Sequence, residues 1–280
     1  MKLKMVRHLW GSTLSPMQDV ERFHKLGYAA IESPMMGTHG ESREFATALA
    51  DRGMEWYAMA FTGGDGASAH FDSFKSQIEQ GHSLGVKQMT AHTGSDAFSL
   101  SQSRDFYSRV VEFEKTCPVA VGHETHRGRV FFNPWITRDL LGEFPQLRLC
   151  TDLSHWVCVA ERLLPDCGEI IRLVARHTIH LHARVGFEHG PQVPDPSAPE
   201  YQYAVDAHMG WWRTIFTMQK SLGRSTMSVT PEFGPQRYMH SIPHTDVPVA
   251  DLFKVCEYMT GRVKQAFDEW ERGESSTSAV

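Results

Sequence analysis

The chain lacks what would tie it to an oxidising compartment, a membrane or a nucleic acid. Its five cysteines, at positions 117, 150, 158, 167 and 256, are odd in number and form no C-x-x-C pair. That excludes a C-x-x-C zinc or redox motif, argues against a disulfide framework, and suits reduced thiols in a cytoplasmic protein. Positive charge is not in excess, since 28 Lys and Arg face 33 Asp and Glu for a net charge of −5. The basic footprint of a nucleic-acid-binding protein is therefore absent. No apolar run approaches the roughly 20 residues of a membrane span. Charged residues occupy the segment from Met1 to Arg7, where a signal peptide would need an apolar stretch. A Gly-rich phosphate turn is missing after the first strand-like run, where Trp10-Gly11-Ser12-Thr13-Leu14 stands instead. That counts against a doubly wound nucleotide-binding sheet.

What the chain does have is a repeated local pattern. Strand-like runs over 3–10, 28–32, 54–61 and 86–92 alternate with helix-like segments over 41–52 and 69–84 and after Ser15-Pro16. Ser15 suits an N-cap and Pro16 a first helical turn. Gly27, Gly53 and Gly85 each stop a helix just before the next strand. Helices are expected over 104–115, from Asn133-Pro134 to Phe144, over 157–175 with a break near Pro165, over 204–222 and over 249–271. The strand ends fall at Trp10, Glu32, Phe61, His92, Glu124, Asp152, His182 and Glu232. Successive ends lie 22, 29, 31, 32, 28 and 30 residues apart, and then 50. Each of the first six spacings matches one βα unit. The last is stretched by a Pro-rich loop over 186–198, where a lid or substrate wall is expected. Eight βα units with right-handed crossovers predict an α/β fold of the (β/α)8 TIM-barrel type, a single domain over 1–272 with a polar tail over 273–280.

Four of these runs end in a residue able to bind a divalent metal. They are Val119 to Glu124, Leu147 to Asp152, Thr178 to His182 and Met227 to Glu232. In a parallel barrel the four ends converge on one face. Three carboxylates and one imidazole suit Mn²⁺ above all, and also Mg²⁺, Co²⁺, Fe²⁺ or Zn²⁺, with room for substrate oxygens. The bland alternatives are specific. Asp152 would also serve as an N-cap. His180 and His182 share one side of a period-two strand, so one is the ligand, His182 being nearer the strand end, and the other a packed neighbour.

These strand ends resemble the xylose isomerase-like TIM-barrel superfamily of sugar isomerases, epimerases, related dehydratases and apurinic endonucleases. The family's D-x-x-H signature stands here as Asp152-Leu153-Ser154-His155, and its H-x-H strand as His180-Leu181-His182. The resemblance implies metal ligation by Glu124, Asp152, His182 and Glu232, with Glu124 and Glu232 as proton-transfer groups. It implies that His155 meets a substrate oxygen. Glu32 and His92, at their own strand ends, and His208, beyond the long loop, are candidates to touch substrate. Two positions depart from the ketose epimerases. Their second Glu, six residues past the strand-five ligand, is replaced by Val130, and their Arg, six past the strand-seven His, by Glu188. In exchange Arg127, Arg129, Arg184 and Arg237 lie just beyond catalytic strand ends, where arginine favours a carboxylate or phosphate on the substrate.

The chemistry expected is proton abstraction beside a carbonyl on a small, sugar-like and acidic substrate, giving epimerisation or aldose–ketose isomerisation. Loss of a β-hydroxyl from the same intermediate would make the enzyme a lyase or dehydratase instead. The partner is a small molecule, with no nucleic acid and no membrane, and a homo-oligomer is permitted. The acidic chain is expected to show no salt-dependent affinity for duplex DNA carrying an abasic site. Cleavage of such DNA at stoichiometric ratios would overturn that expectation.

Overall fold

In the computed structural model, which describes residues 1–273, eight parallel strands close into a barrel in sequence order. They are β1 (Lys2–His8), β2 (Ala30–Pro34), β3 (Glu55–Phe61), β4 (Gln88–His92), β5 (Ala120–Glu124), β6 (Leu149–Thr151), β7 (Thr178–His182) and β8 (Thr226–Thr230). The helices are α1 (Pro16–Lys25), α2 (His39–Ala50), α3 (Gly66–Ser83), α4 (Leu100–Glu114), α5 (Pro134–Glu143), α6 (Ser154–Ala160), α7 (Gly168–His177), α8 (Gln202–Ser221) and α9 (Leu252–Arg272). This is the TIM barrel that the spacing predicts. The polar tail expected over 273–280 lies, beyond Gly273, outside the described residues.

Local chemistry sets the helix starts, at Pro16 and Pro134 as the sequence predicts and at His39 and Leu100 two and four residues earlier than expected. Ser15, Thr38 and Ser99 each accept from the backbone N–H of the third helical residue, and Gln18, Glu41 and Gln102 answer to the cap backbone. These capping boxes satisfy donors that a helix start leaves orphaned. Helix α6 begins at Ser154, earlier than the 157 expected, so His155 sits in its first turn. Apolar residues of the outer strand faces and the helices form one continuous core, with Trp156, Trp212, Phe45 and Phe74 among its largest members. A smaller group, Val6, Ala30 and Tyr57, is buried apart from it.

Three strand boundaries matter for the site. Strand β1 ends at His8, two residues before Trp10. Strand β2 continues to Pro34, so Glu32 is an interior strand residue and lies deeper than a strand-end residue would. Strand β8 ends at Thr230, whose register partner is His182, so Glu232 rises two residues above that level. The ends of β5 and β6 are clasped: Asp152 N donates to Thr125 Oγ1 at 2.7 Å, and that hydroxyl donates to Asp152 O at 2.8 Å.

The 186–198 loop is not the lid or wall that its length predicts. Most of it is buried. Val193 N donates to Val185 O at 2.8 Å, and Gln192 exchanges hydrogen bonds with the backbone of Gly234 at 2.7 and 3.2 Å. The loop thus braces the turn after β8. Gly186 lets it approach α6, because a Cβ there would sit 2.6 Å from Ser154 O and 2.8 Å from its Cα. Gly186→Ala is expected to cost about 1–3 kcal/mol in urea unfolding, because the obstructing atoms are backbone. Gly210→Ala, on α8 with no atom near, is expected to be neutral or to stabilise by up to about 1 kcal/mol. Equal effects at both positions would contradict the tight approach.

Candidate metal centre

The alternation of strand side chains carries the site. On β5, His123 faces the helix layer, held by Glu114 Oε1 at 3.1 Å and Thr93 Oγ1 at 3.2 Å. Glu124 faces the barrel mouth. There it meets Asp152, His182 and Glu232, and one ligand atom from each of the four lies within 4.8 Å of every other. All four are buried, at 0–5 % exposure. Both Glu124 oxygens, His182 Nδ1 and Glu232 Oε2 have no hydrogen-bond partner. Buried polar atoms are nearly always hydrogen-bonded, so Glu124 Oε1, His182 Nδ1 and Glu232 Oε2, gathered in one cluster without such a bond, fit a divalent cation. The oxygen-rich donor set with one imidazole fits the hard to borderline ions named above.

His182 is oriented from below. Its Nε2 donates to both oxygens of Glu32 at 3.0 Å, which leaves Nδ1 turned to the cluster, 3.2 Å from Glu232 Oε2 and 3.4 Å from Glu124 Oε1. Glu32 also accepts from Thr90 Oγ1 at 2.5 Å and Thr230 Oγ1 at 2.7 Å. His180 is the packed neighbour. Its Nδ1 is hydrogen-bonded with Ser228 Oγ at 2.8 Å, and its Nε2 with Thr230 Oγ1 at 3.0 Å and Glu32 Oε2 at 3.3 Å. Asp152 divides its oxygens. Oδ1 accepts from Ser154 N at 2.9 Å and Ser154 Oγ at 2.5 Å, at the start of α6, and Oδ2 accepts from Arg184 Nη2 at 2.5 Å. Asp152 thus holds Ser154 from the cluster side, although the N-cap of α6 is Leu153 and not Asp152.

The electrostatics follow from burial and pairing. Burial would raise the Glu124 carboxyl, but the His92 and His182 imidazoles around it hold it well below the usual range. Burial likewise opposes ionisation of Glu232, and His182 and Arg184 overcome it, bringing its pKa down to about 2. For Asp152 burial prevails over Arg184 and its pKa is raised. Burial disfavours a charged His182, yet the surrounding carboxylates raise its pKa well above that of a free imidazole. The field that would hold a second proton on Nδ1 would also hold a cation.

A cavity of about 650 Å³ opens over this cluster. Glu232, Arg184, His92, His126 and His8 line its floor, and Tyr238 stands at its side. His92 Nε2 is in contact with Glu124 Oε2. His126 and His8 were not singled out from the sequence. His126 was legible, because it lies two residues past Glu124 and so on the same side of the chain. His8 was hidden by placing the end of β1 at Trp10. Burial lowers both histidines to about 3.

The expected substrate contacts fall at different depths and distances from the cavity. Glu32 borders the cavity, but it is fully buried and both its oxygens are taken by the barrel interior. His155 is fully buried, lies behind Arg184 with Nε2 2.7 Å from Nη2, and lines no part of the cavity. Burial first, then His126 and Arg184, keep it well below an ordinary imidazole pKa. His208 is latched within the scaffold: its Nδ1 donates to Ala204 O at 2.8 Å, and its Nε2 accepts from Gly186 N at 3.3 Å. Arg237 is exposed, with φ +88°, and is not among the cavity's lining residues. Arg127 packs over the Tyr238 ring at 5.1 Å, on no wall of the cavity. Arg129 donates to Thr62 O and Gly94 O and ties loops together. Arg184 does reach the cavity, paired with neither Glu188 nor Asp195. Its Nη2 lies 2.5 Å from Asp152 Oδ2 and 3.2 Å from Glu232 Oε2, and Nη1 is buried without a partner.

Removing the carboxylate under His182 tests the orienting role of Glu32. Glu32→Gln is expected to weaken Mn²⁺ binding about 10–100-fold in a calorimetric titration, with the fold retained. Unchanged affinity would show that His182 needs no such support.

No curated protein matches the chain significantly in sequence. Solved structures resemble it in fold. An L-ribulose 3-epimerase aligns with a TM-score of 0.65 at 14 % identity, covering 100 % of both chains. The IOLI protein with a bound zinc atom aligns with a TM-score of 0.61 at 15 % identity, covering 98 % of this chain and 100 % of its own. The probable 3-DHS dehydratase AsbF of Bacillus anthracis aligns with a TM-score of 0.57 at 13 % identity, covering 84 % and 94 %. A family model described as xylose isomerase-like TIM barrel matches residues 20–193, more than half of the chain. With the closed barrel and its strand order, that match places this chain in the xylose isomerase-like TIM-barrel family.

Proposed function

We propose that the protein is a divalent-metal-dependent isomerase or epimerase that removes a proton next to a carbonyl on a small, sugar-like substrate. The observation that carries this reading is the buried set Glu124, Asp152, His182 and Glu232 beneath a cavity, in which His182 Nδ1, Glu124 Oε1 and Glu232 Oε2 make no hydrogen bond and both oxygens face the imidazole, at 3.4 and 3.2 Å. A divalent ion held by these residues would supply Lewis acidity, making a C–H beside a bound carbonyl more acidic.

The residues divide the remaining work unequally. Glu232 lines the cavity and is ionised at neutral pH, so it is the base that can reach a substrate carbon. Glu124 lies deeper and is not a lining residue, so it does not meet substrate as the mirror image of Glu232. On its side His92 faces the cavity in contact with Glu124, and in this reading the pair returns the proton. Return to the same carbon gives the epimer, and return to the neighbouring carbon gives the isomer. Arg184 spends its charge on Asp152 and Glu232, which weakens the expectation of an acidic substrate. Only Nη1 remains to orient a substrate oxygen, charged or neutral. His155, touching Arg184, acts on substrate through that guanidinium alone.

Nucleic acid has no place in this reading. None of the helices among the described residues is long and apolar enough to cross a membrane, and all five cysteines are free thiols, which suits the cytoplasm. Glu232→Gln is expected to lower turnover by at least about 100-fold while Mn²⁺ content stays above half of normal, because the amide cannot accept a proton. The assay is deuterium incorporation from D2O across a panel of keto-sugars and keto-acids. Water loss without exchange would make the enzyme a dehydratase, and undiminished exchange in Glu232→Gln would remove Glu232 as the base.

A further inference from the structure

The cavity over the metal cluster has two chemically different halves. Its floor carries polar atoms that make no hydrogen bond, Arg184 Nη1, His126 Nδ1 and His8 Nδ1, beside His92, whose Nε2 is turned to Glu124. Its walls are apolar. The segment after β1 contributes Leu9 and Trp10, the segment after β2 contributes Met35 and Met36, and β3 contributes Met59 and Phe61. The two wall hydroxyls each already have a protein partner. Ser33 Oγ accepts from Trp56 Nε1 at 3.0 Å, and Tyr238 Oη lies 3.4 Å from His126 Nε2.

A free sugar carries a hydroxyl on nearly every carbon. In this cavity only the end at the floor would find partners, and the others would lie against thioethers and rings. Polar groups buried without partners are strongly penalised, whereas apolar surface gains from the same contact. The walls even expose apolar surface to water: Trp10 is 38 % and Phe61 40 % accessible, at the edge of a volume of about 650 Å³. That volume lies within the range of roughly 300–1,000 Å³ usual for small-molecule sites and exceeds what one sugar ring fills. Methionines adapt to flat and irregular surfaces, and sulfur packs well against aromatic rings. The nearest guanidinium, Arg184, is stacked over Tyr238 at 4.9 Å and belongs to the floor.

We infer that the substrate is an aryl-bearing compound, whose oxygenated, sugar-like head meets the metal cluster and whose flat apolar body lies between Met35, Met36, Met59 and Phe61. This rests on the metal-dependent reading for the head only. The apolar body is assigned by the walls.

The test uses two arms. In the first, the neutral dye N-phenyl-1-naphthylamine is titrated into metal-free protein and its fluorescence followed. Saturable binding is expected, weakened at least about fivefold by Phe61→Gln and by Met36→Gln. Both positions are partly exposed, so the fold should tolerate them, and circular dichroism verifies it. In the second, Mn²⁺-loaded protein is titrated calorimetrically with benzohydroxamate and acetohydroxamate, which share one chelating head and differ in the aryl group. Benzohydroxamate is expected to bind at least about tenfold tighter, and either substitution should cut that preference to about threefold or less with acetohydroxamate unaffected. Equal affinity for the two hydroxamates, or a preference indifferent to both substitutions, overturns the inference whatever the dye does. If Mn²⁺ does not bind, the metal reading fails and the dye decides: wall-sensitive binding sustains the aryl site, and wall-insensitive or absent binding ends it.

Discussion

Three carboxylates buried together repel one another, and the rest of this site is arranged around that cost. Glu124, Asp152 and Glu232 are at most 5 % exposed, so water does little to screen them. In a low-dielectric mouth such a group is tolerated only if opposite charge is built in or a cation is held. The protein supplies Arg184 across Asp152 and Glu232, and His182 between Glu124 and Glu232. Even so, Glu124 Oε1, His182 Nδ1 and Glu232 Oε2 make no hydrogen bond. That residual imbalance is why the cluster reads as a cation site rather than a structural salt-bridge network.

Keeping His182 in the right orientation extends the constraint into the barrel interior. Parallel barrels are commonly filled by branched apolar side chains. Here the layer beneath the mouth contains Glu32, Thr90, His180, Ser228 and Thr230, joined by hydrogen bonds. A buried polar network is stable only when its members are satisfied, and Glu32 meets this by accepting from three strands. The interior thus gives up apolar packing in order to hold one imidazole.

The outer half of the site obeys a different logic. The Pro-rich loop that looked like a lid is consumed in bracing Arg184 and the turn carrying Glu232, through Gly186, Gln192 and Val193. The cavity is lined instead by the shorter segments after β1 and β2 and by the end of β3, whose side chains are largely apolar. Position and chemistry are therefore set by different parts of the chain: β5 to β8 carry the reactive cluster, and β1 to β3 shape what may approach it.

Much of this was legible in the sequence. Strand spacing alone predicts eight βα units, because each unit must span the barrel and return. The four donor residues can be read at strand ends because strand side chains alternate with period two, and the same periodicity pairs Glu124 with His126. What the sequence could not decide were one-layer differences in depth and the partners of long side chains. Glu32 and His92 look alike at the ends of apolar runs, but β2 continues to Pro34 while β4 stops at His92, so one carboxylate is sealed inside and one imidazole is left facing the cavity. Arg127, Arg184 and Arg237 look alike beyond their strands, yet only Arg184 finds two carboxylates within reach. Such outcomes depend on which strand is the neighbour and at what register. Barrel closure sets these through contacts between residues far apart in the chain, and no local pattern encodes them.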